Sequence, residues 1–418
     1  MQKNSNYRAL HYCRLCGSSD LNLYFDFGKV PLGNNLCESI NESSNVEKYP
    51  LNVKRCKSCN HFQLGVAVDP NKLYATNYTY LSGVGSSFVK HLNEYAKWIK
   101  TNCNLKTSAL VIDIGSNDGT CLKEFKNLGY RVCGVDPAHM PSKIANESGI
   151  PTLNTFFDEK SVIEIKNKYG KADFITSHNV LAHVDDLVSV FRNIYDLLKL
   201  NGYFCFEIGY FKEVLKNNCF DTIYHEHLDY HHAKPLSKFL TSIGFDLIDL
   251  STNNIQGGSL RLLLKKTGQG EIHPNAKFFL DSESNSILYQ DKLLSDWQKM
   301  ISLNMHKFGE SVKKYVADGK KVAGYGVPTK ATLLTAISKL NNQDISFMVE
   351  DNHLKVNKFM PGTSIPIYEV NRLQTEKPDV IIIFAWNFSD DIIKKLKTYI
   401  YWPVTIIVPL PELYEESV

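Results

Sequence analysis

The stretch Leu110-Val111-Ile112-Asp113-Ile114-Gly115-Ser116-Asn117-Asp118-Gly119 decides the fold class. Aliphatic residues around a single aspartate read as a strand buried on both faces, as in a parallel sheet. Two glycines follow at once, and a helical pattern runs over Gly119 to Leu128. A strand, a glycine turn and a helix let a ligand approach the backbone closely at the switch region of a doubly wound sheet. The register is G-x-x-x-G, not the G-x-G-x-x-G of nicotinamide enzymes. Carboxylates at Asp113 and Asp118 would repel a pyrophosphate, whereas they suit a cationic ligand.

Working outward, Arg131 to Val135 reads as a second strand and Pro141 to Ser148 as a helix. The second strand ends at Asp136-Pro137, with Asp136 lying 23 residues after Asp113. An acid at that point can accept both hydrogen bonds of a ribose diol. A third strand over Asp173 to Ser177, an amphipathic helix over Asp185 to Leu200 and a strand over Tyr203 to Ile208 continue the alternation. Gly257-Gly258-Ser259-Leu260-Arg261 opens a further strand through a close backbone approach. Lys277 to Asp318 is largely helical and connects to a second alternation: strands at Val322 to Tyr325, Ile345 to Val349, Val380 to Phe384 and Thr405 to Val408, with a helix over Thr329 to Lys339. The expected fold class is therefore α/β, with two Rossmann-like sheets. The features around Asp113 and Asp136 resemble the S-adenosylmethionine site of class I methyltransferases. That resemblance assigns the cofactor to Asp113, Gly115, Asn117, Asp118, Asp136, Pro137, His178 and Asn179.

The amino-terminal 70 residues read as irregular and polar, with turn signals at Gly17-Ser18-Ser19 and Pro31-Leu32-Gly33-Asn34-Asn35. They also carry Cys13-x-x-Cys16 and Cys56-x-x-Cys59, four of ten cysteines in the chain. Two pairs of identical internal spacing predict one closed, structural zinc site, which would supply folding energy that a polar segment lacks. The 39 residues between the pairs require a loop or hairpin to return the second knuckle to the first. His11 and His61 are the substitute ligands considered. Four thiolates leave no open coordination position for catalysis.

Composition restricts the function class. The 418 residues are 43% hydrophobic and 22% charged, values of a folded protein of two or three domains. Lys and Arg number 47 against 44 Asp and Glu, a net charge of +3, without the basic bias or polybasic runs of a nucleic-acid binder. Met1 to Tyr12 has no apolar core of signal-peptide type, and Val380 to Trp386 is too short to span a bilayer. The expectation is a cytoplasmic chain with neither nucleic-acid nor membrane partners; the sequence sets no oligomeric state, and a monomer is compatible with it.

The segment Tyr224-His225-Glu226-His227-Leu228-Asp229-Tyr230-His231-His232 concentrates titratable groups. Taken as extended chain, it would turn His225 and His227 to one face and Tyr224 and Glu226 to the other. Three readings stay open: a metal site from His225, Glu226 and His227, a surface histidine cluster, or proton transfer by a neutral imidazole oriented by a carboxylate or phenol. In the last domain, Gly324-Tyr325-Gly326-Val327-Pro328-Thr329-Lys330 follows a strand and opens a helix; backbone N–H groups with Lys330 would suit a diphosphate, and a nicotinamide cofactor is the alternative.

Five motifs in order, the paired cysteines, Asp113 to Gly119, Tyr224 to His227, Gly257 to Arg261 and Gly324 to Gly326, resemble the deoxysugar C-methyltransferases over essentially the whole chain. The resemblance implies a zinc-binding domain (residues 1–75), a class I methyltransferase domain (76–275) and a C-terminal Rossmann-like domain (276–418) that holds a nucleotide-diphosphate-linked keto-deoxysugar. Its implied chemistry removes a proton beside the ketone and methylates the enolate from S-adenosylmethionine. His227 is implied as the base, with Tyr224, Glu226 and His183 positioning the sugar or stabilising the enolate, and Tyr78 as a further tyrosine. Ser259, Arg261, Gly326, Lys330, Asp351 and Asn387 are the expected substrate contacts. The rivals are a nucleotide-sugar epimerase or NAD(P)-dependent oxidoreductase, and a zinc-knuckle nucleic-acid protein.

Overall fold

The computed structural model describes residues 6–70, 72–73 and 81–418. The chain divides into two compact units: Met1–Asn22 with Lys54–Lys212 and Leu228–Tyr289, and Leu23–Val53 with Glu213–His227 and Gln290–Val418.

The first unit is built on a seven-stranded sheet. From one edge its strands are Phe245–Asn253, Ser259–Lys266, Leu198–Gly209, Ala172–His178, Leu110–Ile114, Arg131–Val135 and Thr152–Leu153. The last five are parallel, while Ser259–Lys266 runs antiparallel to both its neighbours. The expected parallel sheet is thus a mixed one. Strand order reverses between Leu110–Ile114 and Ala172–His178, so the two strand ends diverge there and leave a crevice for a ligand. All five residues of Leu110–Ile114 are buried, which explains its unbroken apolar run. One face packs against the helix Ser86–Asn102 through Phe88, Leu92, Tyr95, Ala96 and Ile99, spaced on one helical stripe.

The second unit has a six-stranded sheet in the order Ile367–Glu369, Phe347–Glu350, Val322–Tyr325, Val380–Ile383, Thr405–Val408 and Tyr414–Ser417. Only the terminal strand is antiparallel. The expected helical connector is two helices, Pro274–Glu283 and Asp291–Ala317. The second of these buries Leu294, Trp297, Ile301, Met305, Phe308 and Val312 along one side.

The amino-terminal expectation is corrected. Leu21–Pro31 and Lys48–Cys56 are strands of eleven and nine residues, followed by Phe62–Leu64 and Val66–Val68. Tyr49, Leu51, Val53 and Cys56 are buried, so the segment contributes to a core rather than relying on metal alone. Among the described residues no helix is long and apolar enough to cross a membrane.

Candidate active site and zinc knuckle

The cofactor turn is held by its own backbone. Gly115 adopts φ +71° and donates its N–H to the Val135 carbonyl at 2.8 Å. A Cβ there would lie 2.2 Å from Cγ2 of Val180, so only glycine fits beneath that loop. Asn117, also left-handed at φ 51°, donates its N–H to Asp136 Oδ2 at 2.9 Å, and Ala138 N–H donates to Asp136 Oδ1 at 2.8 Å. A carboxylate offers about four lone-pair sites, so each Asp136 oxygen keeps one further acceptor site. Ser82 N–H donates to Asn117 Oδ1 and Gly83 N–H to Asp118 Oδ2, closing the turn from the far side. Pro137 contributes its carbonyl to the Asn154 amide at 3.0 Å.

Charge in this crevice is one-sided. Asp113 Oδ1 is buried without a hydrogen-bond partner. Burial and then the neighbouring Asp136 push the Asp113 carboxyl well above the usual carboxylate range. Burial likewise raises Asp136, against the two backbone N–H bonds. Carboxyls gathered in this way would repel a diphosphate and would be favoured in their ionised forms by a cationic ligand. His178 ends the strand Ala172–His178 with both ring nitrogens buried and without hydrogen-bond partners, and burial lowers it to about 4, a neutral imidazole. Asn179 follows at φ 56° and donates its N–H to the Glu207 carbonyl at 2.8 Å.

Glu207 is a residue that sequence reasoning missed. It accepts from His91 Nε2 at 2.6 Å, Arg261 Nε at 2.6 Å and Asn253 Nδ2 at 3.1 Å. Burial would raise it, but the His91 hydrogen bond and the surrounding cationic charge outweigh this and hold it at about 2. An acid inside the apolar run Phe204-Cys205-Phe206-Glu207-Ile208 was the available signal. Arg261, expected on substrate, is engaged by Glu207 and stacked between the Tyr95 and Trp98 rings at 5.1 and 5.0 Å. Ser259 is fully buried, its hydroxyl on the Ile255 carbonyl at 3.0 Å. Both side chains are thus engaged by partners within the first unit.

In the second unit, Tyr224 to His227 form a turn rather than an extended segment, with His227 N–H on the Tyr224 carbonyl at 3.0 Å. The turn brings Tyr224 and His227 to the same side, correcting the alternation expected. His227 Nδ1 lies 2.7 Å from the Thr222 carbonyl, which can only accept, so Nδ1 carries the proton. In the neutral ring Nε2 is then the basic nitrogen, and the Tyr224 hydroxyl donates to it at 3.0 Å. Glu226 is buried, accepts from Asn34 Nδ2 at 2.9 Å, and is pushed up to about 7 by burial against that hydrogen bond. His225 instead donates to the Pro50 carbonyl at 3.2 Å and packs on Tyr49, and burial lowers it to about 4. The groups able to hold a metal among the described residues do not include His225, Glu226 or His227, so the metal reading of this motif falls away. Tyr78 lies outside the described residues, and His183 belongs to the first unit, on the loop after Ala172–His178.

The expected diphosphate cradle is filled by protein. Gly326 takes φ +83°, but the N-terminus of Thr329–Ile337 is covered by the loop at Gly33. Thr329 hydroxyl donates to Asn34 Oδ1 at 2.8 Å, and a Cβ on Gly33 would fall 2.5 Å from the Thr329 carbonyl oxygen. Glu350 Oε2 takes the Val327 N–H at 2.7 Å, placing a carboxylate where a phosphate would bind. Lys330 turns to Asp221 at 3.4 Å and lies over the Trp386 ring at 4.4 Å. Asp351 accepts from Tyr325 at 2.8 Å and pairs with Lys395, while Asn387 is exposed on the turn Trp386–Phe388. In this structure the groups of the turn therefore have protein partners.

Four sulfurs converge in the first unit. Cys13, Cys16, Cys56 and Cys59 place their Sγ atoms within 4.8 Å of one another, with 3.5 Å between Cys13 and Cys59 and 3.6 Å between Cys16 and Cys56. Zinc–sulfur bonds of about 2.3 Å make a tetrahedron with edges of roughly 3.8 Å, so the set fits zinc. Each pair closes the same turn: Gly17 N–H on Cys13 O at 2.9 Å and Asn60 N–H on Cys56 O at 2.8 Å, both residues left-handed. His61 is not a ligand, being bound through Nε2 to Asp229 at 2.8 Å, and His11 is exposed and outside the cluster.

Three family models match successive parts of the chain: "Putative zinc binding domain" over residues 13–74, "Methyltransferase domain" over 88–250 and "C-methyltransferase C-terminal domain" over 254–411. The C-methyltransferase NovU of Streptomyces niveus is 31% identical over 406 residues, covering 97% of this chain and 96% of its own. Among solved structures, magnesium protoporphyrin IX methyltransferase from Synechocystis with bound S-adenosylmethionine aligns over 43% of this chain and 79% of its own, at 14% identity and a TM-score of 0.33. A Clostridium acetobutylicum S-adenosylmethionine-dependent methyltransferase aligns over 43% and 92%, at 18% identity and a TM-score of 0.35. The cofactor is S-adenosylmethionine, and the four-cysteine cluster is the site of a structural zinc ion.

Proposed function

The chain belongs to the C-methyltransferase family, and from that premise we propose that it methylates the carbon beside the ketone of a nucleotide-diphosphate-linked keto-deoxysugar. The observation that carries the proposal is the paired Tyr224 and His227, with Nδ1 of His227 fixed as the donor by the Thr222 carbonyl. When bound, S-adenosylmethionine supplies an electrophilic methyl group on a sulfonium. His227 Nε2 removes the proton from the carbon next to the ketone, a weak acid, and the electron pair moves onto the carbonyl oxygen as an enolate. Tyr224, released from Nε2 as that atom takes the proton, donates to the enolate oxygen. Glu226, held near neutrality in its titration, is a second donor in its protonated form. His183, on the loop after Ala172–His178, is assigned in the same reading to positioning the sugar or stabilising the enolate. The enolate carbon would accept the methyl group that the bound cofactor supplies, the carbon–sulfur electron pair staying with sulfur, and His227 passes its proton on to solvent.

The cofactor assignments of Asp113, Gly115, Asn117, Asp118, Asp136, Pro137, His178 and Asn179 belong to the same reading. So does the division into a zinc-binding segment (1–75), a methyltransferase domain (76–275) and a carboxy-terminal domain (276–418). The filled helix start at Thr329 speaks against the epimerase and oxidoreductase rivals.

The test is incubation with methyl-deuterated S-adenosylmethionine and a panel of nucleotide-linked keto-deoxysugars, followed by mass spectrometry of products, with His227→Asn in parallel. A labelled methyl on carbon is expected, with turnover reduced at least about 10²-fold in the variant while both ligands still bind. A methyl on oxygen, or turnover retained by His227→Asn, would overturn the assignment.

A further inference from the structure

The first zinc knuckle carries an arginine between its two thiolates, and every face of that guanidinium is used. Arg14 Nε lies 3.0 Å from both oxygens of Asp229, Nη1 donates to the Asp185 carbonyl at 2.9 Å, and Nη2 donates to the Val184 carbonyl. The pair is buried, with side-chain exposures of 6% and 0%. Asp229 also takes His61 Nε2, and Arg14 N–H itself is held by Gln63 Oε1 at 2.8 Å.

The carbonyls that Arg14 grips flank His183. On the other side of His183, the Ala182 carbonyl accepts from Leu228 N–H at 2.7 Å and from Asp229 N–H at 3.3 Å, and the Leu181 carbonyl lies 3.4 Å from His231 Nε2. His183 N–H closes on the Val180 carbonyl at 2.8 Å. The loop is therefore clamped at residues 181, 182, 184 and 185, twice by Arg14 and otherwise by the segment that Arg14 pairs with through Asp229.

We infer that Arg14 is a positioning residue for the methyl transfer: through its guanidinium, the first zinc knuckle fixes the loop that carries His183. The inference rests on the assignment of His183 to the proposed chemistry. A planar fork with five N–H donors can bind a carboxylate and two carbonyls at once, whereas an ammonium on a flexible stem cannot. Zinc then has a purpose beyond folding energy, since Cys13 and Cys16 set where Arg14 starts. The metal takes no part in the reaction.

The test is Arg14→Lys in the full-length, zinc-loaded chain. It keeps a cation beside buried Asp229 and removes the two-carbonyl grip. Three quantities are compared with the wild type: zinc per chain by native mass spectrometry, amide hydrogen exchange over residues 180–186, and kcat and KM for the keto-sugar. Zinc content is expected to stay at one, exchange over 180–186 to rise at least about tenfold above that of the rest of the first unit, and kcat to fall on the order of tenfold or more with KM nearly unchanged. Unchanged exchange in the loop would overturn the inference, and so would loss of zinc, which would make Arg14 a support of the metal site instead. If Arg14→Lys does not fold, Arg14→Gln with Asp229→Asn removes both buried charges and is read in the same way. His183→Asn separates the two claims: full turnover there refutes the role of His183, whereas the exchange measurement still judges Arg14.

Discussion

Asp136→Asn tests the cofactor site at one atom. The carboxylate accepts from two backbone donors, Asn117 N–H at 2.9 Å and Ala138 N–H at 2.8 Å, and its two remaining lone-pair sites are assigned to the ribose diol. An asparagine has a single carbonyl oxygen. Its amide must face one of those backbone donors, leaving a buried N–H unsatisfied in bound and free protein alike, so stability falls by about 1 to 3 kcal/mol. Affinity changes separately. One of two charge-assisted hydrogen bonds to the diol, each worth about 1.5 to 3 kcal/mol, is lost and the other becomes a neutral one. The sum is about 2 to 4 kcal/mol, or a roughly 30- to several-hundredfold rise in Kd for S-adenosylmethionine. Calorimetric titration of both proteins measures it, with an analogue lacking the two ribose hydroxyls as the control. The ratio between wild type and variant should collapse toward one for that analogue. A folded variant that binds S-adenosylmethionine within about threefold of wild type, or loses equally for both ligands, would refute the ribose assignment.

Further outcomes follow from other sites. Cys56→Ser removes a fully buried ligand from the four-sulfur cluster; native mass spectrometry should show metal lost to a mild chelator that leaves the wild type loaded, and exchange should rise across residues 13–64. Glu226 gives a pH signature: its carboxyl rises from 4.5 to about 7 on folding, so the folded state binds the proton more tightly, and its contribution is full below pH 4.5 and lost as pH climbs through 7. Urea unfolding at pH 5 and pH 8 should show wild type losing about 2 to 3 kcal/mol more than Glu226→Gln over that interval, and parallel losses would remove Glu226 as the source.

What the sequence disclosed depended on how local the determinants were. Leu110 to Gly119 carries a buried strand, a positive-φ turn and a helix start within ten residues, and each is visible in residue type alone. The cysteine pairs are legible because metal geometry demands that spacing. Lys48–Cys56 was missed although its burial alternates, since lysine, proline and asparagine on its open face imitate a loop. Tyr224 to His227 was found as a cluster, but its turn depends on bonds to Thr222 and on the side chain of Asn34, 192 positions from Glu226. Gly33 and Asn34 read only as a turn signal, so nothing local disclosed that they cover the helix start at Thr329. Arg14 and Glu207 are the same case: their partners lie 215 and 116 residues away in Asp229 and His91.

The buried acids sort into two kinds by the direction in which the fold moves them. For Asp229, burial opposes ionisation, but Arg14 and His61 more than offset it and hold the acid at about 2. Glu207 reaches about 2 in the same way, through His91 and Arg261. Such acids are ionised whenever the protein is folded and serve as fixed anchors for the strands and loops around them. Asp113, Asp136 and Glu226 move in the opposite direction, because burial raises each of them by more than their hydrogen bonds lower it. An enzyme that binds a sulfonium and moves a proton needs groups of this second kind. Burial disfavours the ionised forms of Asp113 and Asp136, which a cationic ligand would favour, and Glu226 can change protonation state near neutral pH. On the proposed function, the acids that burial raises are the ones assigned to cofactor and substrate, and the two held at low pKa are the anchors.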